Sequence, residues 1–312
     1  MIKQNQTIFA LGFFDGVHLG HQALLTRCRR LARERDCHAG VVTFDSHPDA
    51  LVHGTAPGLL NTLEDRERLL LQRFSMDTVI TLPFDREMMA MPWDGFIRLL
   101  MERYNAAGFV CGHDFRFGHR GQGTGEKLSV LCNELGIPCV VVPEQMVDGR
   151  RVSSTGIREL IETGSMGEAV RFLGHPHILT GTVVSGHQLG RKLGIPTANL
   201  RIPQGLAVPK FGVYACRCVI DGSVYGAVAN VGTRPTVSGD GITVEPWILD
   251  YTGDLYDRQI TLEFYAFLRP EEKFPSLEAL QREIRRNAEQ TREILNSLSK
   301  MPPCFTAENV VK

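Results

Sequence analysis

Two histidines three residues apart, His18 and His21, follow an apolar segment and a glycine-containing turn near the start of the chain. The apolar run from Thr7 to Phe14 predicts a buried strand, Asp15-Gly16 predicts a turn, and Gln22 to Arg35 predicts an amphipathic helix. A strand, a turn and a helix N-terminus together bring backbone N–H groups up to a phosphate. On a first helical turn the two imidazoles share one face. The spacing therefore predicts a site that stabilises charge on a phosphate during its transfer, without covalent catalysis.

The residues around the histidine pair fit the same chemistry. Gly20 leaves room for an anion to approach the backbone. The candidate nucleotide contacts in this stretch are Gly12, Phe13, Asp15, Gly16 and Gly20. The stretch resembles the signature of the nucleotidyltransferase superfamily with a His-x-Gly-His motif, which includes adenylyltransferases, cytidylyltransferases and class I aminoacyl-tRNA synthetases. That resemblance implies nucleotidyl transfer and leaves the acceptor open. Histidines that only cap or pack are the weaker interpretation, because the glycines and Asp15 accompany them.

A second glycine-rich segment spans Gly112 to Gly125 and contains Phe115, Arg116 and Phe117. Its glycines allow the backbone to approach a flat or phosphorylated ligand closely, and the three side chains offer stacking faces and a cation. A surface loop without a ligand is an equally good interpretation of this composition.

A third motif, Ser153-Ser154-Thr155, stands at the start of a predicted helix. Hydroxyl residues at such a position are first of all N-caps. Arg158, one turn further, would point back toward the same end, where a guanidinium can bind a triphosphate bidentately. Transfer to an α-phosphate needs a cation on the departing pyrophosphate, so Ser154, Thr155 and Arg158 become candidate triphosphate ligands.

The second half of the chain has its own candidate site. Glycines and cations that suit the phosphates of a second nucleotide precede a strand, and these are Gly190, Arg191, Lys192 and Gly194. Thr197 and Asn199 alternate onto one side of that strand and present oxygens suited to Mg²⁺. Glu245 lies in an otherwise apolar strand, either as a strand-edge ion pair or as a base for a substrate hydroxyl.

The elements that position these residues differ between the two halves. The first half alternates strands and helices, which predicts a Rossmann-like doubly wound α/β sheet. Its predicted strands are Thr7–Phe14, 38–45, 78–84, 108–112 and 138–142, and its predicted helices are 22–35, 63–74, 94–104 and 126–135. Ligands of such sheets bind beyond the carboxyl ends of the strands, where the first two motifs fall.

From Gly181 onward the segments are short, rich in β-formers and punctuated by Gly and Pro, which predicts a small antiparallel six-stranded β-barrel. Its predicted strands are 181–185, 197–202, 212–220, 224–231, 242–251 and 259–267. Asp221-Gly222 indicates a hairpin, and Ser276 is expected to cap a terminal helix. Ser165 and Glu168 predict a capping box before the barrel. The expected domains are residues 1–175 and 176–300, followed by a flexible tail at 301–312.

The composition of the 312 residues, 43% hydrophobic and 22% charged, is that of a globular protein. The formal net charge is −1, and neither half has the basic excess of a nucleic-acid-binding protein, which also argues against the tRNA synthetase interpretation. We therefore expect small-molecule partners, no nucleic acid and no membrane. The absence of a signal-like start predicts a cytoplasmic location. The eight cysteines lack metal-ligand spacing and are interpreted as reduced packing thiols.

Five motifs occur in one order along nearly the whole chain: the His18/His21 stretch, Thr43-Phe44-Asp45-x-His47-Pro48, Asp114 to Gly118, Ser153 to Arg158, and Gly194 to Asn199. Together they resemble the bacterial bifunctional riboflavin kinase/FAD synthetase family. The resemblance implies that the barrel phosphorylates riboflavin with ATP to FMN. It also implies that the N-terminal domain adenylylates FMN with a second ATP, giving FAD and pyrophosphate, with Mg²⁺ as the metal.

The same resemblance implies roles for individual residues. His18 and His21 would stabilise the adenylyl phosphate, with Ser154, Thr155 and Arg158 on the triphosphate. Thr197 and Asn199 would hold the metal and ATP, and Glu245 would be the base on the ribityl 5′-hydroxyl. The implied flavin contacts are Asp114, Phe115, Arg116, Phe117 and Arg234.

Two positions depart from the family pattern. Pro246 and Trp247 follow Glu245 where a histidine is frequent, and 186–189 replaces an Asp-containing loop. Neither change removes a proposed catalytic group, so both activities are expected. A single-activity adenylyltransferase with a flavin-binding barrel and a non-catalytic flavin-sensing module remain alternatives. The oligomeric state is not predicted.

Overall fold

Two units make up the chain, and each has its own sheet. The computed structural model describes residues 6–185, 194–236 and 239–298. The first unit comprises Met1–Pro57 and Arg66–Ser153, and the second comprises Gly58–Asp65 and Ser154–Lys312. No helix of the described residues is long and apolar enough to span a membrane.

The first unit is built on a five-stranded parallel sheet in the order β3-β2-β1-β4-β5. Its strands are β1 (Thr7–Leu11), β2 (His38–Phe44), β3 (Thr78–Leu82), β4 (Ala106–Gly112) and β5 (Cys139–Val142). All neighbouring pairs run parallel. The strand order reverses between β1 and β4, so the segments that follow these two strands leave the same edge of the sheet side by side. The predicted doubly wound sheet is confirmed.

Helices cover both faces of this sheet. The helices that pack on it are α1 (Leu19–Glu34), α5 (Trp93–Tyr104) and α6 (Gly125–Glu134). The short helices α2 (Pro48–Val52), α3 (Leu63–Arg68) and α4 (Arg86–Ala90) lie in the connections between strands. Helix α1 packs on one face, while α5 and α6 bury Phe96 and Leu128 with Phe9 and Phe109 on the other. A π-type turn at Leu69–Arg73 follows α3, and the hairpin β6 (Met146–Val147) and β7 (Arg150–Arg151) follows β5.

The second unit contains two helices, a closed barrel and a terminal helix. The helices α7 (Ser154–Thr163) and α8 (Met166–Leu173) precede the barrel, and α9 (Leu277–Ser297) follows it. The barrel strands are β8 (His177–Val184), β9 (Asn199–Arg201), β10 (Gly212–Ile220), β11 (Ser223–Thr236), β12 (Gly239–Ile248) and β13 (Gln259–Arg269). Their order is β10-β11-β12-β9-β8-β13, with antiparallel neighbours. The predicted six-stranded antiparallel barrel is confirmed.

The turn and capping predictions for the second unit have mixed outcomes. Asp221 and Gly222 both have positive φ, 46° and 78°, which is the type I′ turn that joins β10 to β11. The Ser276 side chain accepts a hydrogen bond from the Ala279 N–H at 3.2 Å and caps α9. Ser165 makes no side-chain cap bond before α8, so the predicted capping box is wrong. Its hydroxyl lies instead 3.5 Å from that of Thr163.

Candidate functional site

The first candidate site lies where β1 ends. The strand is shorter than the apolar run Thr7–Phe14 predicted. Strand β1 stops at Leu11, and in the loop that follows Phe14 takes a left-handed conformation, with φ of 58°. Gly16 and Val17 also have positive φ, 77° and 40°. A β-branched residue at positive φ is a strained outlier. This loop is therefore held in place by its surroundings rather than by local preference.

Hydrogen bonds to the Phe13 carbonyl supply much of that restraint. The Thr43 hydroxyl donates to it at 2.8 Å, and the Arg66 guanidinium donates at 3.0 Å. A further bond from the Gln22 amide to the Val17 carbonyl, at 2.9 Å, ties the loop to α1. The His47 ring packs edge-on against the Phe13 ring at 4.9 Å. Two of the sequence motifs, those of β1 and β2, thus meet at this sheet edge.

The two motif histidines stack on each other at the start of α1. His18 is the N-cap residue, and its Nδ1 accepts the His21 N–H at 3.3 Å. The rings lie 3.7 Å apart and nearly parallel, so the predicted shared face is confirmed. Because Nδ1 of His18 accepts, the proton of its neutral ring is on Nε2, which can donate to a ligand. A side chain at Gly20 would come within 3.0 Å of the His18 ring.

His21 is held in its uncharged form. Burial lowers the pKa of His21 well below its usual range, and the nearby His18 and Arg66 lower it further. Its Nδ1 is buried with no hydrogen-bond partner among the residues that the structure describes. A neutral imidazole can offer one N–H donor and one acceptor, but no net charge.

Arg66 is a residue of this site that sequence reasoning missed. It is 2% exposed, donates to the carbonyls of Phe13 and Phe44 at 3.0 and 2.6 Å, and lies 4.3 Å over the Phe13 ring. Burial lowers its pKa to about 10, against the opposing effect of Asp15. Its sequence context, Leu63–Arg68, is charged throughout and gives no sign that one arginine is buried.

The Gly112 loop leaves the sheet at the neighbouring position, after β4. The Phe115 and Phe117 rings stack at 5.1 Å, but Phe117 is buried against Phe96 and Trp93 in the core. Asp114 forms an ion pair with Arg151. Phe117 is thus closed to a ligand, whereas Phe115 is half-buried, Arg116 is exposed, and Asp114 is exposed but paired with Arg151.

Ser154, Thr155 and Arg158 lie at the start of α7 in the second unit. Arg158 is buried, at 8% exposure, and its Nε donates to the Gly58 carbonyl at 2.6 Å. That bond fixes the side chain within its own unit, and a planar guanidinium has the donor geometry that suits phosphate oxygens.

The second candidate site lies on the barrel and is assembled by strand register. Leu200 pairs with Val244, and Thr197 pairs with Trp247. This register sets Asn199 directly opposite Glu245. Val244 and Leu200 are almost fully buried and point inward, so by alternation Thr197, Asn199, Glu245 and Trp247 share the outer face. Three of the sequence-predicted residues, distant in the chain, are thereby neighbours.

An open cleft of about 100 Å³ adjoins this group. Thr197 and Asn199 line it, together with Tyr251 and Asp254. A hydroxyl and an amide oxygen suit Mg²⁺, which prefers oxygen ligands completed by substrate phosphates. Among the described residues no group of three or more His, Cys, Asp or Glu side chains could hold a metal by itself, and this is compatible with a metal whose other ligands are phosphates.

Asn230 and Glu271 complete the outer face near Glu245, and sequence reasoning missed both. Asn230 pairs directly with Glu245 across β11 and β12. Its Nδ2 donates to Glu271 Oε1 at 3.1 Å. Glu271 follows β13 in a charged, exposed segment, so only the tertiary structure reveals its neighbours. Gly190, Arg191 and Lys192 lie outside the described residues, as does the Arg234 side chain. Gly194 is exposed, with φ of 67°.

Comparisons with known proteins match both halves of the chain. A family model described as FAD synthetase matches residues 1–156, and one described as riboflavin kinase matches residues 173–295. A bifunctional riboflavin kinase/FMN adenylyltransferase of Pseudomonas fluorescens is 37% identical over 88% of each chain. That of Listeria monocytogenes is 30% identical over 93% of each chain. A crystal structure named as a macrolide-efflux protein from Streptococcus pneumoniae superposes with a TM-score of 0.83, at 30% identity, over 93% of this chain and 95% of that one.

Proposed function

Because this chain belongs to the bifunctional riboflavin kinase/FMN adenylyltransferase family, we propose that its two candidate sites catalyse consecutive reactions. The barrel transfers the γ-phosphoryl group of ATP to riboflavin and forms FMN. The site at the start of α1 transfers the adenylyl group of a second ATP to FMN and forms FAD with release of pyrophosphate. The observation that carries the proposal is the strand register that sets Asn199 opposite Glu245, with Thr197 beside them.

In the adenylyltransferase site, the backbone around Gly12, Phe13, Asp15, Gly16 and Gly20 binds the nucleotide. His18 Nε2–H donates to a non-bridging oxygen of the α-phosphate as charge builds on it. His21, uncharged and stacked on His18, fixes the orientation of that ring and can share the contact. The reacting phosphate of FMN attacks the α-phosphorus in line, and pyrophosphate leaves. No covalent enzyme intermediate is needed, because the site acts by position and by hydrogen bonding.

Other groups bind the remaining parts of the adenylyltransferase substrates. The motif resemblance supports Ser154, Thr155 and Arg158 as ligands of the triphosphate, where a guanidinium offsets charge on the departing pyrophosphate. The accessible side chains of Phe115 and Arg116 favour ring stacking on the flavin by Phe115 and a charged contact to it from Arg116. Asp114 then contributes by positioning Arg151, with which it forms an ion pair. Phe117 stacks against the Phe115 ring and supports it.

In the kinase site, the Glu245 carboxylate accepts the proton of the ribityl 5′-hydroxyl while the oxygen attacks the γ-phosphorus. Thr197 and Asn199 would hold Mg²⁺ through their side-chain oxygens. A bound Mg²⁺ neutralises charge on the phosphoryl group in transfer. Trp247, next on the same face, excludes water from one side. The nucleotide phosphates would be held by Gly190, Arg191, Lys192 and Gly194, and the flavin by Arg234.

The test is chromatography of the products that the purified protein forms from riboflavin with excess ATP and Mg²⁺. We expect FMN followed by FAD. Glu245→Gln should stop FMN formation while leaving FAD formation from supplied FMN intact, since the variant is nearly isosteric. Omission of Mg²⁺ should stop both steps.

The alternatives predict different patterns. A single-activity adenylyltransferase makes FAD only from supplied FMN, and a flavin-sensing module binds flavin without consuming ATP. Unchanged kinase turnover in Glu245→Gln would refute the assignment of the base. We also propose a cytoplasmic location, which cell fractionation tests.

A further inference from the structure

Asn230 has its orientation set by Glu271. A carboxylate only accepts hydrogen bonds, so the 3.1 Å contact to Glu271 Oε1 must come from the amide NH₂ of Asn230. The amide oxygen of Asn230 is then turned away from Glu271. This assignment does not depend on which way the amide was drawn, because the reverse orientation would face two acceptors toward each other.

The segment before Glu271 is bonded to α9, and the barrel leaves room for the Glu271 carboxylate. Arg269, two residues earlier, donates to the side chain of buried Asn287 in α9 at 3.1 Å and lies 3.6 Å from Glu283. On the barrel side, the absence of a side chain at Gly232 provides the space, because a Cβ there would lie 2.5 Å from Glu271 Oε1. The carboxylate therefore occupies a position that the surrounding chain leaves open for it.

The group lies next to Glu245. Asn230 is directly opposite Glu245 in the register, and neighbouring strands are about 4.8 Å apart. The outer face thus presents two carboxylates with an amide between them. Carboxylate and amide oxygens accept hydrogen bonds from hydroxyl groups, and a chain with several hydroxyls can reach all three.

We propose that Asn230 and Glu271 recognise the secondary hydroxyl groups of the ribityl chain, beside the 5′-hydroxyl that Glu245 serves. This inference rests on the proposed kinase function of the barrel. Glu271 accepts from one secondary hydroxyl and fixes the Asn230 amide, and Asn230 accepts from a neighbouring one. The pair selects a flavin with a polyol chain and sets the 5′-hydroxyl against Glu245.

The test compares two kinase substrates: riboflavin, and a flavin whose side chain is a 5-hydroxypentyl group. The second substrate keeps the terminal hydroxyl and lacks the secondary ones. We expect Asn230→Ala and Glu271→Ala to lower kcat/KM for riboflavin by about tenfold or more, since hydroxyl recognition is lost. For the hydroxypentyl flavin the same variants should match the unmutated protein within about twofold.

Gly232→Ala provides an independent variant. Its methyl group displaces the Glu271 carboxylate without altering either polar side chain, so it should reproduce the riboflavin defect of Glu271→Ala. The matched control is Glu272→Ala, which removes the adjacent exposed carboxylate and should leave both substrates unaffected. Urea unfolding, measured for every variant, reports whether the barrel is folded.

The outcomes separate this inference from the proposed function. Equal losses with both substrates, or no loss with riboflavin, would overturn the recognition role of Asn230 and Glu271. If Glu245→Gln removes turnover with both substrates while Asn230→Ala and Glu271→Ala change nothing, only the present inference fails. If Glu245→Gln retains turnover, the function assigned to this face of the barrel fails.

Discussion

Arg66 offers the most direct test of how the adenylyltransferase site is held together. We consider Arg66→Met, which keeps the length and apolar part of the side chain and removes the cation. The variant loses donors to the carbonyls of Phe13 and Phe44 and the contact over the Phe13 ring. Phe13 keeps its bond from Thr43, so the loop loosens without losing every restraint.

The magnitude follows from those contacts. Hydrogen bonds from a charged donor contribute about 1.5–3 kcal/mol each, and a desolvated cation–π contact adds about 2 kcal/mol. Burial of the cation costs several kcal/mol in the native protein. We therefore expect the free energy of unfolding of the first unit to fall by about 3 kcal/mol. A loop displacement of about 1 Å at a reacting centre lowers kcat by about 100-fold, and that is the loss expected for adenylyl transfer to FMN.

The assay is FAD formation from supplied FMN and ATP, with urea unfolding measured in parallel. Riboflavin phosphorylation should be unchanged. Arg66→Lys keeps a charge but not the planar fork, so its loss should be smaller. Arg30→Met is the matched surface control, because the Arg30 side chain is 72% exposed and forms a surface ion pair with Glu34 four residues on. Such a pair contributes less than about 1 kcal/mol. Adenylyl transfer within twofold of the unmutated rate in Arg66→Met would refute the reasoning.

Three further predictions follow from single positions. His18→Ala should stop the reaction series at FMN, with product chromatography as the readout and full conversion to FAD as the contrary result. Gly118→Ala should lower the unfolding free energy by more than the roughly 1 kcal/mol expected for positive φ alone, because its Cβ would overlap the Trp93 backbone. Urea unfolding measures the loss. The control is Gly121→Ala, which is also at positive φ but whose Cβ would have 3.4 Å of clearance. Burial lowers the pKa of His177 to about 3. Between pH 6.5 and 3 the unfolded chain therefore binds more protons than the folded one. The free energy of unfolding falls as the pH drops through that window, by about 1.4 kcal/mol per pH unit. His177→Phe should flatten that slope, and an unchanged slope in pH-dependent unfolding would count against it.

Local sequence was sufficient for the two architectures. Apolar runs and helical patterns, separated by Gly and Pro, predicted every strand of the parallel sheet and of the barrel, because the buried residues of each element must be apolar. It also predicted that His18 and His21 share one face, since both residues lie within one helical turn. The left-handed residues Phe14 and Val17 escaped prediction, because nothing local favours positive φ in an aromatic or β-branched residue.

Contacts between distant segments were decided by the tertiary structure. Arg66 reads as one charge among many in its helix, and only the loop after β1 makes it a buried donor. Phe117 reads as a stacking surface, yet α5 covers it. Glu245, Asn199 and Asn230 meet because the register of β9, β11 and β12 aligns them, and Glu271 joins them where Gly232 leaves room. The sequence alone thus determined the elements and the residues capable of chemistry, through short-range patterns of burial and turn formation. Which of those residues face one another depended on strand pairing and packing, which act over separations in the chain that no local pattern encodes.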